Sequence, residues 1–117
     1  MRYILLIYAN ERDWEAKGPD ERARVMEGHH ALDADLTKAD KLKTCDALQP
    51  TRTATTVRMR DGKALVSDGP FAETKEQLGG FYVVDARNLD DAIAIASRIP
   101  PAQWGSIEVR PIWEAPS

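Results

Sequence analysis

Tyr3-Ile4-Leu5-Leu6-Ile7-Tyr8 decides how this chain must fold. The run is short, branched and aromatic, so it reads as a buried strand over residues 2–9. Side chains alternate along a strand, so Tyr3, Leu5 and Ile7 face one way and Ile4, Leu6 and Tyr8 the other. Both faces are therefore apolar. Phe81-Tyr82-Val83-Val84, opened by Gly79-Gly80, has the same two-sided character. Only two helices are read elsewhere in the chain, and two helices cover one side of such a sheet. A bare second side would be a large apolar patch, which soluble monomers rarely tolerate. The sequence thus predicts a homodimer, in which an identical chain closes over that side by two-fold symmetry.

The other elements fall on either side of these strands. Residues 10–18 read as a loop ending in Gly18-Pro19. A helix then runs to about Ala39, with Pro19 suited to its first position and Asp20 and Glu21 complementing its dipole. Val25, His29, Leu32, Leu36 and Ala39 form its apolar stripe, widened by Met26. Residues 42–48 read as a strand closed by Pro50. Thr55–Arg60 is another, with Val57 and Met59 on one face and Arg58 and Arg60 on the other. Asp61-Gly62 marks a hairpin turn into Ala64–Ser67. The polar stretch after Phe71 has room for one helical turn. Asn88 caps a second helix carrying Leu89, Ala92, Ile93, Ala96 and Ile99, and Pro100-Pro101 stops it. A last strand is predicted over Ile107–Ile112.

Length and composition bound the function. The 117 residues make one domain, 1–117, large enough to hide about two-thirds of its unfolded surface without a staple. Apolar residues are 43% and charged residues 30%, which is an ordinary globular composition. A net charge of −3 leaves no global excess of Lys and Arg for a phosphate backbone, so no direct nucleic-acid partner is expected. Arg52, Arg58 and Arg60 make residues 51–60 locally basic, but no aromatic residue interleaves them, and a solvated strand face is the reading. Cys45 is the single cysteine, which rules out a disulfide framework and a cysteine-based zinc site within one chain. No metal-ligand spacing, phosphate-cradling glycine loop or Ser-centred elbow is present, so neither a metal nor a cofactor is expected. The opening apolar run is too short to span a membrane, and no cleavage site follows it. Cytoplasmic location without membrane association is the expectation.

Asp68-Gly69-Pro70-Phe71-Ala72-Glu73-Thr74-Lys75-Glu76-Gln77-Leu78-Gly79-Gly80-Phe81-Tyr82 resembles the signature of the YCII-related family, DGPF branch. Tyr3–Tyr8 and Val109-Arg110-Pro111-Ile112 resemble that family's first and last strands, so the likeness spans nearly the whole chain. The resemblance implies an α+β fold, ferredoxin-like βαββαβ with an extra hairpin, paired into a dimeric α/β barrel. It implies far less about activity. Relatives are often encoded beside extracytoplasmic-function sigma factors, so the resemblance carries a functional link to a sigma factor and a transcription-related label.

In the wider family a histidine on the first helix and a nearby aspartate are a proposed acid/base dyad. The resemblance puts His29 at the histidine position. Asp68, opening the signature loop, is the first choice for the aspartate, with Asp33 and Asp35 as alternatives. Residue by residue, His29 sits on an apolar stripe where Leu or Val would be normal, and an imidazole there has its pKa moved by burial or a carboxylate. It reads either as a general acid/base facing a pocket or as a satisfied core histidine. His30, one step around the helix, Phe71 and Lys75 are the candidate substrate-binding residues, Lys75 for an anionic ligand. Gly28 marks a close approach or is simply tolerated. Trp14, Trp104 and Trp113 line a ligand site or anchor a dimer interface. The leading function is a cofactor-free small-molecule lyase or isomerase using a His29–Asp68 pair. The alternative is a non-catalytic ligand-sensing or protein-binding module.

Overall fold

The structure, a computed structural model, describes residues 1–115. Its strands are β1 (Arg2–Ala9), β2 (Leu42–Ala47), β3 (Thr55–Arg60), β4 (Lys63–Asp68), β5 (Gln77–Asp85) and β6 (Ser106–Pro111). Its helices are α1 (Glu11–Glu15), α2 (Pro19–Lys38) and α3 (Leu89–Ser97), with 3-10 turns at Thr51–Thr53 and Pro100–Gln103. Four strands form an antiparallel sheet in the order β2-β5-β1-β6, and β3 and β4 pair with each other as a separate ribbon. Without that ribbon the chain runs strand, helix, strand, strand, helix, strand. The arrangement is consistent with a ferredoxin-like α+β fold carrying one extra hairpin.

Alternation along β1 resolves as the sequence requires. Tyr3, Leu5 and Ile7 are buried, together with Tyr82 and Val84 of β5, under Leu32 and Leu36 of α2 and Ala92, Ile95 and Ala96 of α3. Leu5, Leu32, Val84 and Ile99 are the largest fully enclosed side chains. The opposite face carries Ile4 and Leu6, paired across the ladder with Val83 and Phe81, and all four are only half-buried. No described helix crosses that face in the core cluster.

Three local features differ from the expectation. The 10–18 stretch contains α1, started by the Asn10 side chain accepting from the Arg12 N–H at 2.9 Å, a capping signal hidden in a polar run. Residues 69–76 form bends and no helical turn. Beyond α3 the two prolines begin a 3-10 turn, their fixed φ suiting the first position of such a turn. Gly28 takes its meaning from that turn. A Cβ on it would lie 2.9 Å from Pro100 Cγ, so its bare Cα lets the turn seat against α2. The Asp61-Gly62 hairpin is built as read, with φ of +52° and +74° at the two central residues.

The ribbon stands apart from the body. Val57, Met59, Ala64 and Val66 share one face by register, with Arg58, Arg60, Lys63 and Leu65 on the other. Val57 is 60% exposed and Val66 65%. The molecule measures 48 × 47 × 19 Å with a radius of gyration of 16.3 Å, against roughly 13 Å for a compact chain of this length.

Candidate functional site

The stripe on α2 divides. Leu32 and Leu36 seal the dry core, while Val25, Met26 and His29, nearer the N-terminus, border a cavity of about 520 Å³. That volume lies within the range of small-ligand sites. Its far wall is the sheet at Cys45 of the edge strand β2 and Tyr82 of the neighbouring β5, and Trp14 of α1 and Trp104 complete it. A register shift between Ile7 and Tyr8, where β5 holds Gly79 as the extra residue, falls beside this wall. Such bulges re-aim strands next to functional clefts.

Helix α1 is fastened where it meets the cavity. The Glu11 N–H donates to Gln77 Oε1 at 3.0 Å, and its carboxylate accepts from the Thr51 N–H at 2.7 Å and the Thr51 hydroxyl at 3.0 Å. The Arg22 guanidinium donates to the Trp14 and Glu15 carbonyls at the end of α1, where Trp14 also accepts from the Lys17 N–H at 3.1 Å. The Lys17 ammonium lies 4.2 Å from the centroid of the Trp104 ring.

His29 and Asp33 stand four residues apart on one face of α2. Tyr82, on the helix-facing side of β5, reaches up between them. Its hydroxyl donates to Asp33 Oδ1 at 2.7 Å and lies 2.9 Å from His29 Nδ1, and the two rings stack with an interplanar angle of 13°. A phenol has one proton to donate, and the Asp33 carboxylate accepts that hydrogen bond. His29 Nδ1 must then be the donor to the phenol oxygen. The neutral ring is thereby assigned as the Nδ1–H tautomer, with the lone pair left on Nε2.

Electrostatics support this assignment. Burial lowers the His29 pKa below its ordinary value, with Asp33 pulling the other way and His30 reinforcing the drop. Burial, then the hydrogen bond and charge of Asp33, push the Tyr82 phenol far above its usual range, so it stays protonated. At neutral pH the pair is a neutral imidazole beside an intact phenol, which is a base with its far nitrogen free. Cys45 Sγ lies 4.0 Å from Asp33 Oδ2, and burial followed by Asp33 raises the thiol pKa. A thiolate nucleophile is disfavoured there.

The sign of the His29 shift gives a stability prediction. Unfolding frees the ring to bind a proton below about pH 6.5. The stability gained from a neutral buried ring is therefore full above that pH and falls as the pH drops toward the lower folded value. Thermal melts between neutral pH and about pH 5 should show the wild type losing Tm more steeply than His29→Gln. Parallel slopes would contradict the shift.

The sequence-predicted residues divide between this site and other places. His29 and His30 line the cavity, and the carboxylate tied to His29 through Tyr82 is Asp33. Asp68 ends β4 at the base of the ribbon, exposed and paired in register with Thr55, away from the cavity lining. Asp35 is exposed and salt-bridged to Arg98 at 2.6 Å. Phe71 is 78% exposed outside the lining, and Lys75 borders a separate polar groove with Arg12 and Thr74. Trp14 and Trp104 line the cavity, whereas Trp113 is 83% exposed. Tyr82 is the residue the sequence reading passed over. Its signal was present: alternation puts its hydroxyl under a helix, where a buried phenol needs a partner. Among the described residues, no group of three or more His, Cys, Asp or Glu side chains is placed to hold a metal ion. No described helix is long and apolar enough to cross a membrane.

A helix-roofed antiparallel sheet with an imidazole, a phenol and a carboxylate chained at the wall of a ligand-sized cavity defines a small α+β pocket domain. The chain belongs to the YCII-related family, whose domain matches residues 1–116. It is also similar to an uncharacterized protein of Rhizobium meliloti (strain 1021), 42% identical over 114 residues that cover 96% of this chain and 92% of that one.

Proposed function

We propose that the cavity is the active site of a cofactor-free enzyme that moves a proton on a small organic molecule, as a lyase or isomerase does. The observation that carries this reading is the chain His29 Nδ1···Tyr82 Oη 2.9 Å and Tyr82 Oη–Asp33 Oδ1 2.7 Å at the cavity wall. It holds one tautomer in place and offers Nε2 as the general base. When Nε2 takes a proton, the new imidazolium charge is stabilised through the phenol by the Asp33 carboxylate, so Tyr82 and Asp33 are positioning residues. In this assignment Asp33 takes the role for which Asp68 was the first choice. Within the family we assign the chain to the DGPF branch on Asp68-Gly69-Pro70-Phe71, a turn in which Gly69 adopts φ +95°.

The reading is tested by following deuterium uptake from heavy water, by NMR, into a panel of small enolisable carbonyl compounds. His29→Ala should reduce enzyme-dependent exchange by about 10²–10⁴-fold. Exchange that survives the substitution, or no exchange in any compound that binds, overturns the proposal.

A second reading concerns the uncovered surfaces. Ile4, Leu6, Phe81 and Val83 on the open sheet face and the apolar face of the β3–β4 ribbon favour burial against another polypeptide. We assign that occupant as a second copy of this chain.

A further inference from the structure

By register, Ile7, Gly80 and Ala47 form one row across β1, β5 and β2 on the helix-facing side of the sheet, next to the row of Leu5, Tyr82 and Cys45. A packed core would fill such a row with large side chains. Here two of the three are the smallest residues, and Gly80 cannot be larger, since a Cβ on it would lie 2.8 Å from the Asp46 carbonyl oxygen. Ala47 is exposed although its row faces the helices, so open space stands above it. This row is the floor of the cavity, with Val25 and Met26 of α2 opposite it and Trp14 and Trp104 completing the walls.

The charges around this apolar space are answered among themselves. Glu15 lies 3.9 Å from Arg52, and Glu11 gives both oxygens to the donors of Thr51. Asp46 pairs with Phe81, so its side chain turns to the opposite face of the sheet. The Asp33 carboxylate is committed to Tyr82 at 2.7 Å. Lys17 already sits over the Trp104 ring and Arg22 over the Trp14 ring. An anion entering would shed hydration and find no described lysine or arginine in the lining, while an ammonium would shed its own beside Lys17 and Arg22. An uncharged body has less hydration to lose and gains the apolar walls.

The geometry points to uncharged, largely apolar carbonyl compounds as the ligands of this cavity, taken in preference to carboxylates, phosphates and amines, with Ala47 setting how far they extend along the floor. This names the substrate class of the proton-transfer reading and rests on its choice of site, but not on the basicity of His29.

Three probes of similar shape test it: 4-phenylbutan-2-one, 3-phenylpropanoate and 3-phenylpropylamine. Each is titrated into the protein while the indole N–H signals of Trp14 and Trp104 are followed by NMR, with the outlying Trp113 as internal control. The ketone should bind about tenfold or more tighter than either ion. Ala47→Leu, which puts a branched side chain on the open floor, should weaken ketone binding by about tenfold or more, with Ala47→Val intermediate. Far-UV circular dichroism checks that both variants keep the fold, as an exposed position should allow. Either ion binding as tightly as the ketone, ketone binding indifferent to both substitutions, or no shift of either indole with any probe overturns the inference. A ketone that binds with this preference yet exchanges no deuterium sinks only the acid/base reading. Exchange that is lost in His29→Ala, in a charged compound that binds as tightly as the ketone, sinks only this inference.

Discussion

Tyr82→Phe is expected to lower stability by about 2 kcal/mol and to release His29 from its assigned tautomer. The substitution keeps the ring and its place in the core, so no cavity of consequence opens. It removes one oxygen that serves two partners. Asp33, half-buried, loses its 2.7 Å donor and keeps only a Cys45 thiol at 4.0 Å. Hydrogen bonds to charged groups contribute about 1.5–3 kcal/mol, and water reaching the half-exposed carboxylate holds the loss to the middle of that range. The second effect is more diagnostic. Nitrogen NMR of the labelled wild type at neutral pH should show His29 protonated on Nδ1, with His30 as the internal reference. In the variant that signature should weaken, and proton-exchange activity should fall with it. An unchanged tautomer would show that the phenol does not hold the ring, and the relay at the cavity wall would lose its basis.

Leu6→Glu is expected to convert a two-chain particle into a single chain of 13.1 kDa. Leu6 lies on the open face of β1 opposite Phe81, away from the helices, so the core of Leu5, Leu32, Val84 and Ile99 is untouched. If a second copy covers that face, a carboxylate there would be buried without a partner, a penalty of several kcal/mol at each of two symmetric sites. Light scattering during size exclusion gives the mass directly, and far-UV circular dichroism checks that the fold survives. A wild type already at 13.1 kDa in dilute solution would remove the second copy from the account.

Much of this architecture could be read from residue order. The two-sided strands, the Asp61-Gly62 turn, the Asn88 cap and the stop at Pro100-Pro101 each follow from local chemistry, and each falls within a residue or two of its expected place. The site was only half legible. His29 stood out because it interrupts an apolar stripe. Its partner is set by tertiary register, since β5 inserts between β1 and β2 and only then brings Tyr82 beneath residues 29 and 33. Asp68 drew attention because it opens the signature loop, and it stands as the last residue of β4, in register with Thr55. A one-dimensional reading cannot tell a carboxylate at the base of a projecting ribbon from one four residues along a helix. Trp14 was named as a candidate, but the helix that carries it was hidden, because α1 is only five residues long and is fastened through Gln77 and Thr51, which are distant in sequence.

The β3–β4 ribbon has a consequence for the chain before it finds its place in any assembly. Both of its outer strands end in unsatisfied ladders, and one side is greasy, which is the recipe for strand-by-strand accretion into insoluble stacks. What stands against this is a short row of charges, Arg58, Arg60, Asp61 and Lys63, crowded toward the tip. Charges placed beside an exposed apolar strand in this way act as gatekeepers against such stacking.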